Sequence, residues 1–582
     1  MKKCFKVFVF AALLAMTVPA SAFEIQKGRV APWQTQVAPG RTEHLVKKGD
    51  YPAVAMKPSH ELAFDKRLAC AEISVSAAPG SYWYGWSLRR IVVSAPKDIA
   101  GDVLFDVTYD DIMLVDNVGR TGSVTLDVIG GSRVSDTPAK YWLLAYPAAL
   151  SSGRLSIDYY LKNYKSGEIQ ILTHTLDISS PMFLKGQVSS LREELMDEGK
   201  GWSARRYVVD TEAYKEAIID IIERCNLPSM QIAYTTNLDT LMFTVVNEKW
   251  HDAKPGRREL IIRPYDMKSI YEACSISKTP CYYIWSKMVN DGEVDLDTPL
   301  YKYYPGLLNR FKKQYRGQVK LITGRMAMSH TSGGGPGYSN MQLDFYPGYH
   351  FNYRNSNTCI VQWTIEYLKR APLDSVAKKY LYDRVEGGMP NTRYHWQPQY
   401  DSLAVFSNTG KRDFPSWHEN KWASKDPEFW WDKKGYNNNA SYHLRTNAVE
   451  FTRFLRYYLQ GAALSEEMFN EVVHPMVRQH AGNINYERGE NFRCLGWAGL
   501  ENPEFGKMIM HTGSNGIFKG LAQIYLEQNK TLACFTNGRH SYNLWGMVTD
   551  VIINAKQPLA TFGSAETPKS SGKDIKIVNR CL

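Results

Sequence analysis

The chain lacks the usual signatures of metal binding. Its 582 residues contain no C-x-x-C pair, no H-E-x-x-H helix and no clustered Cys/His spacing, so the common patterns for structural zinc and for zinc-assisted hydrolysis are missing, and neither metal nor other cofactor is expected. Long apolar runs are scarce as well. Beyond the first two dozen residues no uncharged stretch is long enough to cross a bilayer, so no membrane span is expected. No Lys/Arg cluster is interleaved with aromatics, which argues against a nucleic-acid partner. Collagen-like and disordered compositions are excluded too, because 44% of the residues are apolar and 22% charged, ordinary values for a globular protein.

The one apolar run opens the chain. In "MKKCFKVFVFAALLAMTVPASAF" three lysines precede the run, and Ala20-Ser21-Ala22 supplies the small-x-small pattern of a signal-peptidase site. Residues 1–22 therefore read as a signal peptide cleaved after Ala22, with the mature protein periplasmic or secreted. Cys4 lies before the run rather than after it, which speaks against a lipid anchor. Removing Lys2, Lys3 and Lys6 from a formal net charge of +11 leaves +8, a basic surface suited to solubility and loose attraction to anionic envelopes. Nine cysteines become eight without Cys4, an even number that permits disulfides in an oxidising compartment but does not fix their pairing.

A chain this long exceeds what one hydrophobic core usually supports. Residues 23–200 read as a β-rich, sandwich-like domain of unknown role. In "DVLFDVTY" Val103, Phe105, Val107 and Tyr109 share a face, and "SVTLDV" and "GRLSIDYYL" alternate in the same way, as half-buried antiparallel strands do. Asp106, Asp110 and Asp111 read as solvated strand edges rather than a calcium site. Near residue 185 the texture becomes charged and helical in "SSLREELMDEGKGW". A second domain, 206–556, opens helix, strand, strand: "DTEAYKEAIIDIIERCNLP" carries an apolar stripe behind a capping Asp210, and a hairpin turns at "NLD". Helices are expected near 276–291, 358–370, 373–382, 446–460 and 465–474, and strands near 506–511, 517–526 and 531–536. This is an α+β order whose antiparallel sheet takes strands from both ends of the domain. Residues 557–582 read as a polar tail.

The spacing S-x-x-K occurs four times, at Ser94, Ser275, Ser375 and Ser570. A proline separates Ser94 from its lysine, Ser375 lies within an ordinary amphipathic helix, and Ser570 falls in the tail. Only Ser275, in "YEACSISKTP", starts a helix directly after a loop. Side chains three apart at a helix start share a face, roughly 5–6 Å apart at Cβ, so an amine at Lys278 can meet the hydroxyl of Ser275. Burial and the positive end of the helix dipole both disfavour an ammonium there, which suits Lys278 to accept a proton. Taken alone, the motif reads better as a capping serine with a solvated lysine.

Context decides otherwise. "CSISKTP", then "VNDGEVDLDTPLYKYYPGL" and "MSHTSGG", resemble the serine hydrolases related to class C β-lactamases and penicillin-binding proteins, and the likeness runs from about 206 to 556. That resemblance implies a β-lactamase/transpeptidase-like catalytic domain, an antiparallel sheet flanked by helices plus a helical region, behind the all-β N-terminal domain. In the family S-x-x-K is joined by Y-x-N and by K-T-G or H-T-G; a related set is known for class A enzymes. Of two Y-x-N candidates, "YRN" follows a P-G turn and an aromatic and precedes an apolar helix, as the family's element does, whereas "YSN" at Tyr338 does not. The implied site is catalytic Ser275, Lys278 and Tyr353; substrate-binding Asn355, His511, Thr512 and Gly513, the last three on what reads as an edge strand; and an oxyanion hole from the backbone N–H groups of Ser275 and Ser514. Asn355 is expected to hold Lys278 and the substrate amide.

The resemblance implies an exported hydrolase that cleaves an ester or peptide-like amide bond through a Ser275 acyl-enzyme. Its substrate would be a small molecule or a peptide-like compound, peptidoglycan fragments included. The alternatives are a class C-like β-lactamase or D-Ala-D-Ala carboxypeptidase, and a penicillin- or peptidoglycan-binding module with negligible turnover. Histidine stands where typical β-lactamases of this class carry lysine. It is mostly neutral at pH 7, which favours an esterase or peptidase unless Arg354 or Arg539 restores the charge. Pro280 is expected to bend the nucleophile helix, and Trp396, Trp417, Trp422, Trp430 and Trp431 mark a long aromatic insertion.

Overall fold

The computed structural model describes residues 25–30, 33–37, 55–56, 62–63, 66–106, 111–114, 120–196, 199, 201–257, 261, 263–406, 439–478, 490–502, 506–538 and 544–553. Residues 1–22, read above as a signal peptide, Asp110, Arg539, Trp417, Trp422, Trp430, Trp431, Ser570 and residues 557–582 lie outside these residues. The chain divides into two compact units, Met1–Val208 and Val209–Leu582.

In the first unit, strands Trp202–Tyr207, Ile169–Asp177, Arg154–Lys162, Ser87–Ser94, Ser123–Arg133 and Trp33–Val37 form a six-stranded sheet in that spatial order. A three-stranded sheet orders Ala139–Ala145, Ala69–Ser76 and Val188–Glu194. Alternation puts Leu155, Ile157, Tyr159 and Leu161 into a core shared with Ile73, Leu126 and Leu143, as period-two patterning requires. Two pairings are parallel: Trp33–Val37 on Ser123–Arg133, and Val188–Glu194 on Ala69–Ser76.

The second of these corrects the helical reading of "SSLREEL". Ser189, Leu191 and Glu193 turn inward at period two, and pairing with an open sheet edge overrides the local helical preference. Glu193 is buried because it meets Nδ1 of His174 at 2.6 Å, and the His174 ring stacks on Trp202 at 4.0 Å.

The second unit is built on one eight-stranded antiparallel sheet. We label its strands β1 (Ser229–Thr235), β2 (Thr240–Val246), β3 (Val477–Arg478), β4 (Glu490–Arg493), β5 (Ala498–Asn502), β6 (Gly506–Ser514), β7 (Lys519–Tyr525) and β8 (Lys530–Thr536), in spatial order β2-β1-β8-β7-β6-β5-β4-β3. Strands β7 and β8 are near-continuous apolar runs because both their faces are covered. Leu532 and Cys534 face one core and Ala533 and Phe535 the other.

The first core is closed by α1 (Thr211–Arg224), through Ile218, Ile221 and Ile222, and by the terminal helix Leu544–Ile553. Asp210 caps α1 by accepting from the Ala213 N–H at 3.0 Å, a contact worth about 1 kcal/mol. The second core holds α2 (Lys278–Asn290), α3 (Asn355–Lys369) and α4 (Ala448–Leu459). Helix α2 is buried nearly all round, from Lys278 to Ser286 without a break, and so has almost no solvent face. Pro280 falls in its first turn, where a missing N–H breaks no intrahelical bond, so the expected bend has no cause. The seven described cysteines are all buried and free.

Candidate active site

Ser275 precedes helix α2 rather than opening it. It sits in a single 3-10 turn, Cys274–Ser277, and the α-helix starts at Lys278. Cys274 has φ +49°, a left-handed conformation that costs a non-glycine residue on the order of 1–3 kcal/mol. The turn is held from several sides. The Ser277 hydroxyl donates to the Cys274 carbonyl at 2.5 Å and accepts from the Leu444 N–H at 3.0 Å, and the Tyr394 hydroxyl donates to the Ser277 carbonyl at 2.7 Å. These bonds hold the strained backbone in place and leave Ser275 half-buried between Cys274 and Ile276, both fully buried.

Lys278 is fully buried; its Nζ donates to the Ser441 carbonyl at 2.7 Å and lies 5.0 Å from the centre of the Tyr353 ring. Tyr353 comes from the extended segment that leads into α3. Its ring leans on His330 at 4.5 Å, and its hydroxyl is buried with no hydrogen-bond partner among the described residues. His330 accepts at Nδ1 from the Asn357 side chain at 3.1 Å and from the Arg354 N–H at 3.4 Å, so its proton sits on Nε2, and burial keeps the ring neutral. His330, in "MSHTSGG", thus braces Tyr353.

Asn355 opens α3. Its carbonyl accepts from the Ser441 hydroxyl at 2.9 Å, and its side chain meets Tyr338, whose hydroxyl also meets Tyr442 and Asn439. The "YSN" tyrosine therefore lies beside the implied site even though its local sequence frame does not mark it. Ser441, Tyr442 and Asn439 come from a short polar loop with no motif to single it out.

Strand β6 brings His511, Thr512, Gly513 and Ser514. It is an interior strand of the sheet, not an edge strand, because β5 pairs beside it. That pairing ends at Met510 opposite Ala498, whereas pairing with β7 continues to Ser514. The four motif residues therefore project past β5 and keep edge character on that side.

At Gly513 the strand touches the Ser275 turn. A Cβ there would lie 2.4 Å from the Ala273 carbonyl oxygen, 3.0 Å from Cys274 Cβ and 3.2 Å from the Ser275 nitrogen. Only glycine permits that approach.

His511 is buried, and its Nδ1 contacts the Thr512 carbonyl at 2.7 Å. A carbonyl only accepts, so Nδ1 carries the proton and Nε2 keeps its lone pair. Burial first, then the nearby Lys278 and Arg493 cations, hold the imidazole pKa down at about 3.

The consequence for stability has a definite sign. An unfolded histidine takes up a proton below about pH 6.5 and the buried one does not until about 3, so stability is full above 6.5 and falls as pH drops through that window. Thermal unfolding of wild type and His511→Gln between pH 7 and 4 should show the variant losing less; an offset that stays constant over the range would reject this.

Of the two arginines expected to replace the missing cation, Arg539 lies outside the described residues. Arg354 pairs with Asp344, with Nη2 at 3.1 Å. The buried cation beside the site is Arg493 on β4, with its guanidinium 5.1 Å from the Phe351 ring centre and 5.9 Å from that of Tyr353. Burial lowers its pKa only to about 10, so it stays charged at neutral pH. The sequence signal was present: a charge at the head of the otherwise apolar run "RCLGWAGL" that leads from β4 into β5.

Trp396 packs partly buried against the core and donates to Asp401 at 3.2 Å. Among the described residues no group of three His, Cys, Asp or Glu side chains is placed to hold a metal, and no helix is long and apolar enough to cross a membrane.

Comparison with known proteins follows the same lines. The profile of the Beta-lactamase family matches residues 214–553. No curated protein matches the chain. Solved structures similar to it include a D-alanine carboxypeptidase AmpC from Burkholderia cenocepacia, at 15% identity over 59% of this chain and 98% of that one, with TM-score 0.44. An octameric penicillin-binding protein homologue from Pyrococcus abyssi is 16% identical over 60% of this chain and 77% of that one, with TM-score 0.45. A class C beta-lactamase is 14% identical over 60% and 98%, also with TM-score 0.45. With its second unit matched nearly end to end, the chain belongs to the Beta-lactamase family, whose members are typically serine hydrolases.

Proposed function

We propose that this protein is an exported serine hydrolase that cleaves an ester or peptide-like amide bond through a Ser275 acyl-enzyme. The Ser275 oxygen bonds to the carbonyl carbon, and its proton passes to the Lys278–Tyr353 pair. The backbone N–H groups of Ser275 and Ser514 take the developing oxyanion, commonly the largest single catalytic contribution. Tyr353 then gives the proton to the leaving group, and water releases the acyl product.

The observation that supports this reading best is the approach of β6 to the nucleophile turn at Gly513, which brings the implied oxyanion donors onto neighbouring backbones. His511 serves as a neutral acceptor through Nε2, while Thr512 and Asn355 contact the substrate.

A second reading, a class C-like β-lactamase or D-Ala-D-Ala carboxypeptidase, draws support from Arg493. A cation held in a buried setting suits a carboxylate-bearing substrate, and the neutral His511 does not supply one.

A turnover panel of p-nitrophenyl esters, nitrocefin and D-Ala-D-Ala peptides on the mature protein tests these readings together. Multiple turnovers on at least one class are expected. A trapped acyl-enzyme with no release on any of them would support a binding module instead.

A further inference from the structure

Resting on that reading, we infer that Glu272 and Asn515 form a positioning clamp, which fixes the Ser514 N–H against the nucleophile turn.

Asn515 follows Ser514 in the turn between β6 and β7. Its side-chain oxygen accepts from the Ile517 N–H at 3.0 Å and the Phe518 N–H at 2.7 Å, and its own N–H donates to the Phe518 carbonyl at 3.2 Å. Two backbone donors on the oxygen leave the amide no choice of orientation, so Nδ2 must point away from the turn as a donor. It meets Oε2 of Glu272 at 2.6 Å.

Glu272 is 1% exposed and sits three residues before Ser275, on the short strand Tyr271–Glu272 that pairs with Arg445–Thr446. A carboxylate placed so deep is retained where it accepts strong bonds. The Cys274 thiol adds a second tie across the same gap, 3.4 Å from the Phe518 carbonyl.

The two backbones that carry the implied oxyanion donors are thus joined twice beyond the Gly513 contact, once through the Glu272–Asn515 hydrogen bond and once through Cys274. None of this touches substrate. The clamp acts only through the distance and angle between two N–H groups, the quantity to which oxyanion stabilisation is most sensitive.

The bond's polarity supplies a test. Asn515→Asp sets two carboxylates against each other, and kcat for the best panel substrate should fall about a hundredfold with KM little changed. Adding Glu272→Gln restores a donor facing an acceptor, and the double variant should regain at least about tenfold over N515D. Glu272→Gln alone keeps an acceptor and should stay within about threefold of wild type.

Failure of the double variant to regain activity, or a KM effect in place of a kcat effect, overturns the clamp. Should N515D not fold, the alanine cycle decides. E272A and N515A should each lower kcat and their double no further, and multiplicative losses overturn the proposal. Wild-type protein that neither turns over nor takes a fluorophosphonate would sink the hydrolase reading and this one with it; active wild type with an indifferent clamp sinks this one alone.

Discussion

Replacing Ser275 by alanine should abolish acylation by a fluorophosphonate probe and lower turnover by at least about four orders of magnitude, in the range seen when a serine nucleophile is deleted. The protein should stay folded. Losing one half-buried hydroxyl costs within about 1 kcal/mol at most sites of this kind, and the turn is held by Ser277 and Tyr394 rather than by Ser275.

The other S-x-x-K serines provide the controls. Ser94 closes a strand and shares a hydrogen bond with Ser123 at 3.2 Å. Ser375 is exposed on a short helix, where its lysine, Lys378, is engaged by Asp383 at 2.8 Å. Ser94→Ala and Ser375→Ala should label like wild type. Intact-mass measurement of the labelled protein reads all three variants directly, and a covalent adduct that persists on S275A would reject the assignment of the nucleophile.

The sequence made the elements legible where one physical signal dominated. The stripe Ile218, Ile221, Ile222 behind Asp210 could only be a capped amphipathic helix, and the double-faced runs in β7 and β8 could only be central strands. It misled where a distant partner overrode a local preference. "SSLREEL" has helical composition, yet the open edge at Ala69–Ser76 and the His174 imidazole draw it into a strand.

The site followed the same rule. The family resemblance implied Ser275, Lys278, Tyr353 and the His511–Gly513 strand as candidates, and the fold brings Lys278 to Tyr353 and Gly513 to the Ser275 turn. It brings Asn355 to Tyr338 and Ser441, and it gives Nζ of Lys278 to the Ser441 carbonyl. A carbonyl acceptor leaves no trace in residue identity, because every residue has one. Arg493 and Glu272 were readable in principle as charges bordering apolar runs, but what a buried charge faces is a property of the sheet register, and register is set between segments far apart in the chain.

Gly513 is where that register has its largest expected effect. Gly513→Val would thrust a branched side chain toward the Ala273 carbonyl, 2.4 Å from where the first carbon must sit, and toward the Ser275 nitrogen at 3.2 Å. These neighbours are backbone atoms of a turn already held in a left-handed conformation at Cys274, so they cannot swing aside as a long side chain would. Strand β6 is fixed on its other side by the pairing of its residues Met508 to Ser514 with β7. The gap must therefore open between β6 and the turn, and the N–H groups of Ser275 and Ser514 move apart. Losing one oxyanion donor typically costs about 10²–10³ in kcat, and that loss is expected here, with the rate of fluorophosphonate acylation falling in parallel. Gly317, where an added Cβ meets nothing within 4 Å, gives the matched control: Gly317→Ala should leave both rates unchanged. Wild-type turnover in G513V would mean that the contact at Gly513 does not set the spacing of the two donors, and the oxyanion hole would have to be sought elsewhere along β6.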